Sequence, residues 1–295
     1  MKKNLYITGG HGQDGVILSN IFRKDSKYRL NVVTLKKNFL KRKNINYLRD
    51  NLQNIESINK IFLKNKPDII LHLASKNPSF SERGSCKFYK YNVAATKNIV
   101  EASINFNKAV KFYFFNSSQI FKKKSGIVDE FSRKKISSSY TKFRIDMDNY
   151  ISRKIKNYTN LILFNHDSKF RNKKFLLPKI VNFLKKRKFD SIKKIIKKNI
   201  NGDFSHAEDI CYAVYKIVKS KKIIKDIVLS SNESTSVNDI IFYLQKKFKI
   251  KYNFSKKENI KKNILVGNNS YLKKNINYKP KKNIFIAAEE MFRAS

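Results

Sequence analysis

The sequence predicts an α/β fold built on a doubly wound parallel sheet, with a smaller C-terminal region added to it. Three observations lead there. Short apolar strands alternate with helical segments along the chain, beginning with Leu5-Tyr6-Ile7, Leu30 to Leu35 and Ile69 to Leu73, the pattern of a parallel sheet with right-handed crossovers. Several of these runs are apolar without alternation, as strands buried on both faces are. The first strand enters a glycine-rich turn, Gly9-Gly10-His11-Gly12-Gln13-Asp14-Gly15, and then an apolar helix from Val16. This Rossmann-like unit is expected over residues 1–165, with 201–232 returning to it. Residues 166–200 and 233–295 are expected to form the smaller substrate-binding region.

Taken in order, the glycine turn comes first. Glycines at 9, 12 and 15 fit G-x-x-G-x-x-G in a chain that holds 8 glycines in all. A strand, a tight turn and a helix N-terminus together can present backbone N–H groups to a phosphate. An ordinary strand-to-helix turn can carry the same glycines, so the rest of the chain decides. The second strand ends at Lys36-Lys37. An acidic residue there favours NAD, whereas a basic one tolerates the 2′-phosphate of NADP. The two lysines therefore lean towards NADP, against a background in which lysine is everywhere.

Asp50 precedes a helical stretch over 52–63. Pro67-Asp68 punctuates the chain before the next strand, which ends in His72-Leu73-Ala74-Ser75. A helix is expected over Cys86 to Phe106. A strand over Val110 to Phe115 follows, ending in Asn116-Ser117-Ser118-Gln119, where open α/β sheets bind ligands. Residues 122–137 read as a polar loop. Ser138 or Ser139 can cap a helix from Tyr140 to about Ile155. Leu161 to Phe164 is a further strand, followed by Asn165-His166. Beyond it the spacing predicts a helix over 176–185, a basic linker, a helix over 206–218, a strand over 227–230, a helix over 237–248 and a terminal amphipathic helix.

The formal net charge of +43 is spread along the chain among Asn and Ile, and the 41% hydrophobic content is that of a globular protein. Such spread fits a solvated surface set by composition better than a nucleic-acid interface, so no specific nucleic-acid partner is expected. A basic surface would also steer anionic nucleotides towards a cleft. Two cysteines give neither a disulfide framework nor a metal cluster, and no metal site is expected. No run approaches the ~18 apolar residues of a spanning helix, and the first residues are too short an apolar stretch for a signal peptide. A soluble cytoplasmic protein is expected.

The stretches ITGGHGQDG at 7–15, HLAS at 72–75, FYFFNSSQIF at 112–121, SSYTKFR at 138–144, LFNHDSKFR at 163–171, NGDFSHAEDI at 201–210 and VGNNSYLKKNINYKP at 266–280 resemble, in the same order, the extended short-chain dehydrogenase/reductase superfamily. Within it they are most similar to the GDP-mannose 4,6-dehydratase family; GQDG and FNHDS are the most discriminating words. The resemblance implies NADP, with NAD as the alternative, a GDP-linked sugar as substrate and a homo-oligomer. It implies cofactor contacts from Gly9, Gly12, Gln13, Asp14, Gly15, Lys36, Lys37, Asp50, Leu73, Ala74, Ser75, Tyr89, Tyr140, Arg144, His166 and Arg171.

In the family, hydride leaves the sugar C4, a carboxylate takes the C5 proton, water leaves from C6 and hydride returns there. The resemblance gives Tyr140 the hydroxyl-proton role, assisted by a cation at i+4, on the same helix face. Here that cation is Arg144, where the family has lysine. Ser117 stands for a threonine. Gln119 stands for the catalytic glutamate, and an amide is no base near neutral pH. Three readings stay open: a dehydratase with a weakened or alternative base; a nucleotide-sugar reductase or C4 epimerase, which needs no elimination base; and a binding protein that retains the cofactor site.

Overall fold

In this computed structural model the described residues are 1–35, 42–76, 86–252 and 264–294. The strands are β1 (Lys3–Thr8), β2 (Tyr28–Thr34), β3 (Asn46–Arg49), β4 (Ile69–His72), β5 (Lys111–Ser117), β6 (Gly126–Val128), β7 (Tyr158–Leu163), β8 (Asn165–Asp167), β9 (Asn201–Gly202), β10 (Phe204–His206), β11 (Asp226–Leu229), β12 (Thr235–Ser236) and β13 (Leu265–Gly267). The helices are α1 (Gln13–Phe22), α2 (Ile55–Lys64), α3 (Cys86–Phe106), α4 (Ser139–Lys154), α5 (Leu176–Lys185), α6 (Phe189–Lys197), α7 (Ala207–Lys219), α8 (Val237–Lys247), α9 (Ser270–Ile276) and α10 (Ile284–Ala294).

Seven strands form one parallel sheet in the order β11-β7-β5-β4-β1-β2-β3. The order reverses direction at β1, between β4 and β2, and such a switch point is where open α/β sheets hold ligands. β1 pairs with β2 from Lys3↔Tyr28 to Thr8↔Val33 and with β4 from Leu5↔Ile69 to Thr8↔His72. Thr8 and His72 are thereby neighbours at the end of the two central strands.

The contacts divide the chain into two compact units. Unit 1 comprises 1–122, 132–162 and 215–227; unit 2 comprises 123–131, 163–214 and 228–295. Residues 123–131, 163–165, 201–214 and 228–232, grouped by the sequence with the first domain, sit in unit 2. Their hydrogen-bonded partners explain this: β6 pairs with β13, and β10 with β8.

Unit 1 buries Tyr6, Ile70, Phe112 and Phe114 of the sheet against Phe62 of α2, Ile99 and Val100 of α3, and Phe143, Met147 and Ile151 of α4. The helices start where caps allow. Asn54 accepts from the Glu56 N–H ahead of α2 at 2.8 Å. Ser138 caps α4 in a reciprocal box with Thr141. Unit 2 has its own core of Leu177, Ile180 and Leu184 (α5), Ile192 and Ile196 (α6), Ile240, Ile241 and Leu244 (α8), and Ala287, Ala288 and Met291 (α10).

Two expectations change. The basic linker after α5 is the helix α6, and the polar loop over 122–137 contains β6. In α6 the buried positions Ile192 and Ile196 are spaced by one turn, with lysines filling the exposed positions between them.

Candidate active site

The glycine turn leaves β1 at Gly9, whose φ is +72°. A side chain there is excluded twice over, because a Cβ would lie 2.9 Å from the Ala74 nitrogen. Gly15 is packed as tightly: a Cβ would come within 2.6 Å of the Gly9 carbonyl oxygen and 2.7 Å of the Gly10 Cα. Gly12 donates its N–H to the Gly9 oxygen at 3.0 Å and takes the N-cap position of α1, where no side chain caps the first turn. The turn therefore brings backbone and a helix N-terminus to one place without side chains in the way, the arrangement that receives a phosphate group. Gln13 donates through its amide to Asp14 Oδ1 at 3.1 Å.

A cleft opens beside this turn, lined in part by Gly9, Gly12, Thr34, Asp50, Ala74 and Ser75. Thr34 ends β2 and shares a hydrogen bond with Nδ1 of His11. Asp50 is held in place by the Leu52 N–H at 2.5 Å and by the Ser57 hydroxyl. Lys36 and Lys37 lie outside the described residues. The cleft also takes in His11, Lys76 and Tyr91, which the sequence did not single out. Lys76 Nζ stands 3.8 Å from the centre of the Tyr91 ring, within cation–π range. A signal for Tyr91 existed: it lies on α3 close to the expected Tyr89, and two helical residues make about 200° of rotation. Tyr89 itself points elsewhere. Its hydroxyl donates to Asp146 of α4 at 2.5 Å, and burial together with Asp146 pushes its pKa up to about 12.

Beneath the cleft wall, Thr8, His72 and Thr96 form a buried chain. The Thr8 hydroxyl oxygen accepts from the N–H groups of Leu73 (3.2 Å) and Ala74 (3.1 Å), and the hydroxyl lies 2.9 Å from His72 Nδ1. With the Thr8 oxygen already accepting twice, its proton goes to Nδ1. His72 then carries its own proton on Nε2 and donates to Thr96 Oγ1 at 3.1 Å. Burial, with the Arg144 charge adding to it, lowers the His72 pKa from 6.5 to about 3, so the ring is neutral. This chain fixes the backbone of Leu73 and Ala74, two of the expected cofactor contacts.

Arg144 and Tyr140 share one face of α4, and the guanidinium carbon is 5.1 Å from the centre of the Tyr140 ring. Arg144 is buried and uses its fork inside the protein. Nη1 donates to the Phe115 oxygen at 2.6 Å and Nη2 to Ser75 Oγ at 3.1 Å, while its buried Nε has no partner among the described residues. Ser117 ends β5 and accepts from the Gln119 N–H at 3.3 Å; Gln119 is exposed, on a single helical turn over Ser118–Ile120. The two aspartates of α4 are engaged elsewhere. Asp146 binds Tyr89 and Lys142. Asp148 binds Lys134, Tyr158 and Asn160.

His166 and Arg171 belong to unit 2. His166 lies in β8 with Nδ1 2.7 Å from the Phe164 oxygen, and Arg171 pairs through Nε with Asp167 at 3.0 Å and lies over the Phe175 ring.

An open parallel sheet, a glycine turn at its switch point and a tyrosine–cation pair on α4 define a nucleotide-cofactor enzyme of the extended short-chain dehydrogenase/reductase type. The family model for GDP-mannose 4,6 dehydratase matches residues 6–291, and the chain belongs to that family of nucleotide-sugar enzymes. A UDP-glucose 4-epimerase of Mycoplasma genitalium is 25% identical over 127 residues, 41% of this chain and 37% of its own length. The match thus spans little more than a third of that relative.

Among solved structures, a UDP-glucose 4-epimerase of Thermotoga maritima bound to UDP-glucose superposes with a TM-score of 0.81 at 16% identity, covering 98% of this chain and 97% of its own. A UDP-glucuronic acid 4-epimerase of Bacillus cereus, with UDP-glucuronic acid and NAD, gives 0.79 at 17% identity and 98% of each chain. A dTDP-glucose 4,6-dehydratase of Bacillus anthracis, with NAD, gives 0.77 at 14% identity, covering 99% and 96%. These likenesses concern the fold. Among the described residues, no helix is long and apolar enough to cross a membrane.

Proposed function

We propose that this chain is a cytoplasmic, NADP-dependent nucleotide-sugar enzyme of the GDP-mannose 4,6-dehydratase type, working on a GDP-linked sugar as a homo-oligomer. Its tyrosine–cation pair for redox at the sugar C4 is kept with arginine in place of lysine, and its apparatus for elimination is reduced. Unit 1 supplies the dinucleotide site and unit 2 the nucleotide-sugar site. The observation that carries this reading is the pairing of Tyr140 with the Arg144 guanidinium on one helix face, beside the sheet end where Ser117 stands.

The fit for the dinucleotide rests on the cradle at Gly9, Gly12 and Gly15, in which a Cβ at either outer glycine would collide with backbone. A dinucleotide held there would supply hydride transfer at the sugar C4. Gly9, Gly12 and Gly15, with Gln13 and Asp14 of the first turn of α1, hold the pyrophosphate. Asp50 would lie on the adenine side and Leu73, Ala74 and Ser75 on the nicotinamide side. Tyr140 takes the proton of the C4 hydroxyl and is left as a neutral phenol, with the Arg144 guanidinium beside its ring. Ser117 donates to the same sugar oxygen. Gln119 can orient a sugar hydroxyl but holds no proton that it could exchange at C5.

A second reading, a nucleotide-sugar reductase or C4 epimerase, is favoured by that amide, since neither reaction breaks the C5–H bond by elimination. The deciding experiment gives the purified protein GDP-mannose and NADP⁺. Accumulation of a 4-keto-6-deoxy sugar supports the dehydratase. A C4 epimer, or NADPH consumption with a supplied 4-keto sugar, supports the second reading. Absence of all three, with cofactor bound, overturns both in favour of a binding protein.

A further inference from the structure

A second cavity in unit 1 lies at the opposite edge of the sheet from the glycine turn. It is lined by residues that precede the strands: Lys2 ahead of β1, Arg23, Lys24 and Asp25 between α1 and β2, and Arg29 at the start of β2. Because β1 and β2 run parallel, this edge is separated from the glycine turn by the length of a strand, roughly 20 Å for seven residues.

Four cations face one acid here, and that acid is already compensated. Asp25 accepts from the Tyr215 hydroxyl at 2.8 Å, pairs with Lys219 at 3.3 Å and accepts from the Lys27 N–H at 3.1 Å. Against these, Arg23 has its Nε buried with no hydrogen-bond partner among the described residues, and Arg29, which also lines the cavity, spends Nη1 on Asn65. The lysine-rich composition does not explain this group: the chain has 54 lysines and only 11 arginines, and two of those arginines are here. The end of α1 attracts cations through its exposed carbonyls, which covers Arg23 and Lys24 but not Lys2 and Arg29.

We propose that this cavity is a binding site for a small multiply charged phosphate anion, of the class of the di- or triphosphate tail of a nucleotide, separate from the cofactor site. Planar guanidinium forks grip phosphate oxygens two at a time, and lysines add charge without fixed direction. Several charges on both sides are needed for binding to survive screening at physiological salt.

The test is calorimetric titration of the full chain with inorganic tripolyphosphate, with inorganic phosphate as the singly substituted comparison. Saturable binding of tripolyphosphate is expected, much tighter than phosphate. The variant Arg23→Gln/Lys24→Gln weakens it at least tenfold. Lys2→Gln/Lys24→Gln, which alters only side chains with no ion pair among the described residues, weakens it in the same direction. The variant Lys194→Gln/Lys197→Gln, which removes the same charge from α6, leaves it unchanged. Melting temperatures report that each variant is folded. The proposal is overturned by absence of saturable binding, by equal weakening in the α6 variant, or by wild-type affinity in the first two variants; the last outcome places the anion at the glycine turn instead.

Discussion

Arg144 lies against the Tyr140 ring while donating to the Phe115 carbonyl at 2.6 Å and to Ser75 Oγ at 3.1 Å. One side chain thus charges the neighbourhood of the tyrosine and ties α4 to the ends of β5 and of the β4 loop. An ammonium has no planar fork with which to reach both acceptors. Arg144→Lys is expected to leave one buried acceptor unsatisfied and to cost about 1–2 kcal/mol, read by urea denaturation. Unchanged stability would show that the two bonds are not made in solution.

The glycine cradle makes a sharper prediction about the cofactor. Gly15→Ala places a methyl group 2.6 Å from the Gly9 oxygen, so the turn must open to accept it. Overpacking of this kind costs roughly 1–3 kcal/mol. Cofactor affinity, followed by fluorescence titration, is expected to fall at least tenfold while the chain stays folded. Retention of wild-type affinity would remove the pyrophosphate from this turn.

The buried His72 sets a pH dependence. Its pKa in the folded chain is about 3, against 6.5 ordinarily, so between those values the unfolded chain binds the extra proton. Stability therefore rises with pH across this window and falls as pH drops below 6.5, by at most ~1.4 kcal/mol per pH unit from this residue. His206, also lowered by burial despite Glu290 nearby, acts with the same sign. Denaturation at pH 7 and pH 5 is expected to show a smaller loss for His72→Gln than for the wild type. Equal losses would mean that His72 is accessible to protons in the fold.

Gln119 separates the two functional readings. Gln119→Glu places a carboxylate where the amide stands, and general-base catalysis is worth roughly 10²–10⁴-fold. A gain towards that range in 4-keto-6-deoxy sugar formation from GDP-mannose is expected, measured by mass spectrometry. No gain would mean that the pocket around position 119 has departed from elimination in more than one residue.

Most of the sheet was legible in the sequence because its strands are buried on both faces and read as continuous apolar runs, as in Ile69 to Leu71 and Phe112 to Phe115. The edge strand β3 was not. Asn46-Tyr47-Leu48-Arg49 is only half apolar and pairs on one side. The helix α6 was hidden by Lys193, Lys194 and Lys197, which make an amphipathic helix look like a charged linker. In the site, the adjacency of Tyr140 and Arg144 was legible from their i, i+4 spacing. His11, Lys76 and Tyr91 were not, because their place in the cleft depends on how loops from β1, β4 and α3 meet. That Arg144 spends its donors on Phe115 and Ser75 is likewise a fact of packing, which spacing along α4 does not carry.

The central claim is that redox at the sugar C4 survives the loss of the elimination base. GDP-mannose carrying deuterium at C4, incubated with the purified protein and NADP⁺, measures this directly. The account predicts that deuterium is recovered on the cofactor, at C6, or at C4 of an epimerised sugar. Deuterium retained in full at C4 of a sugar whose C4 configuration is unchanged, with the cofactor bound, would contradict it.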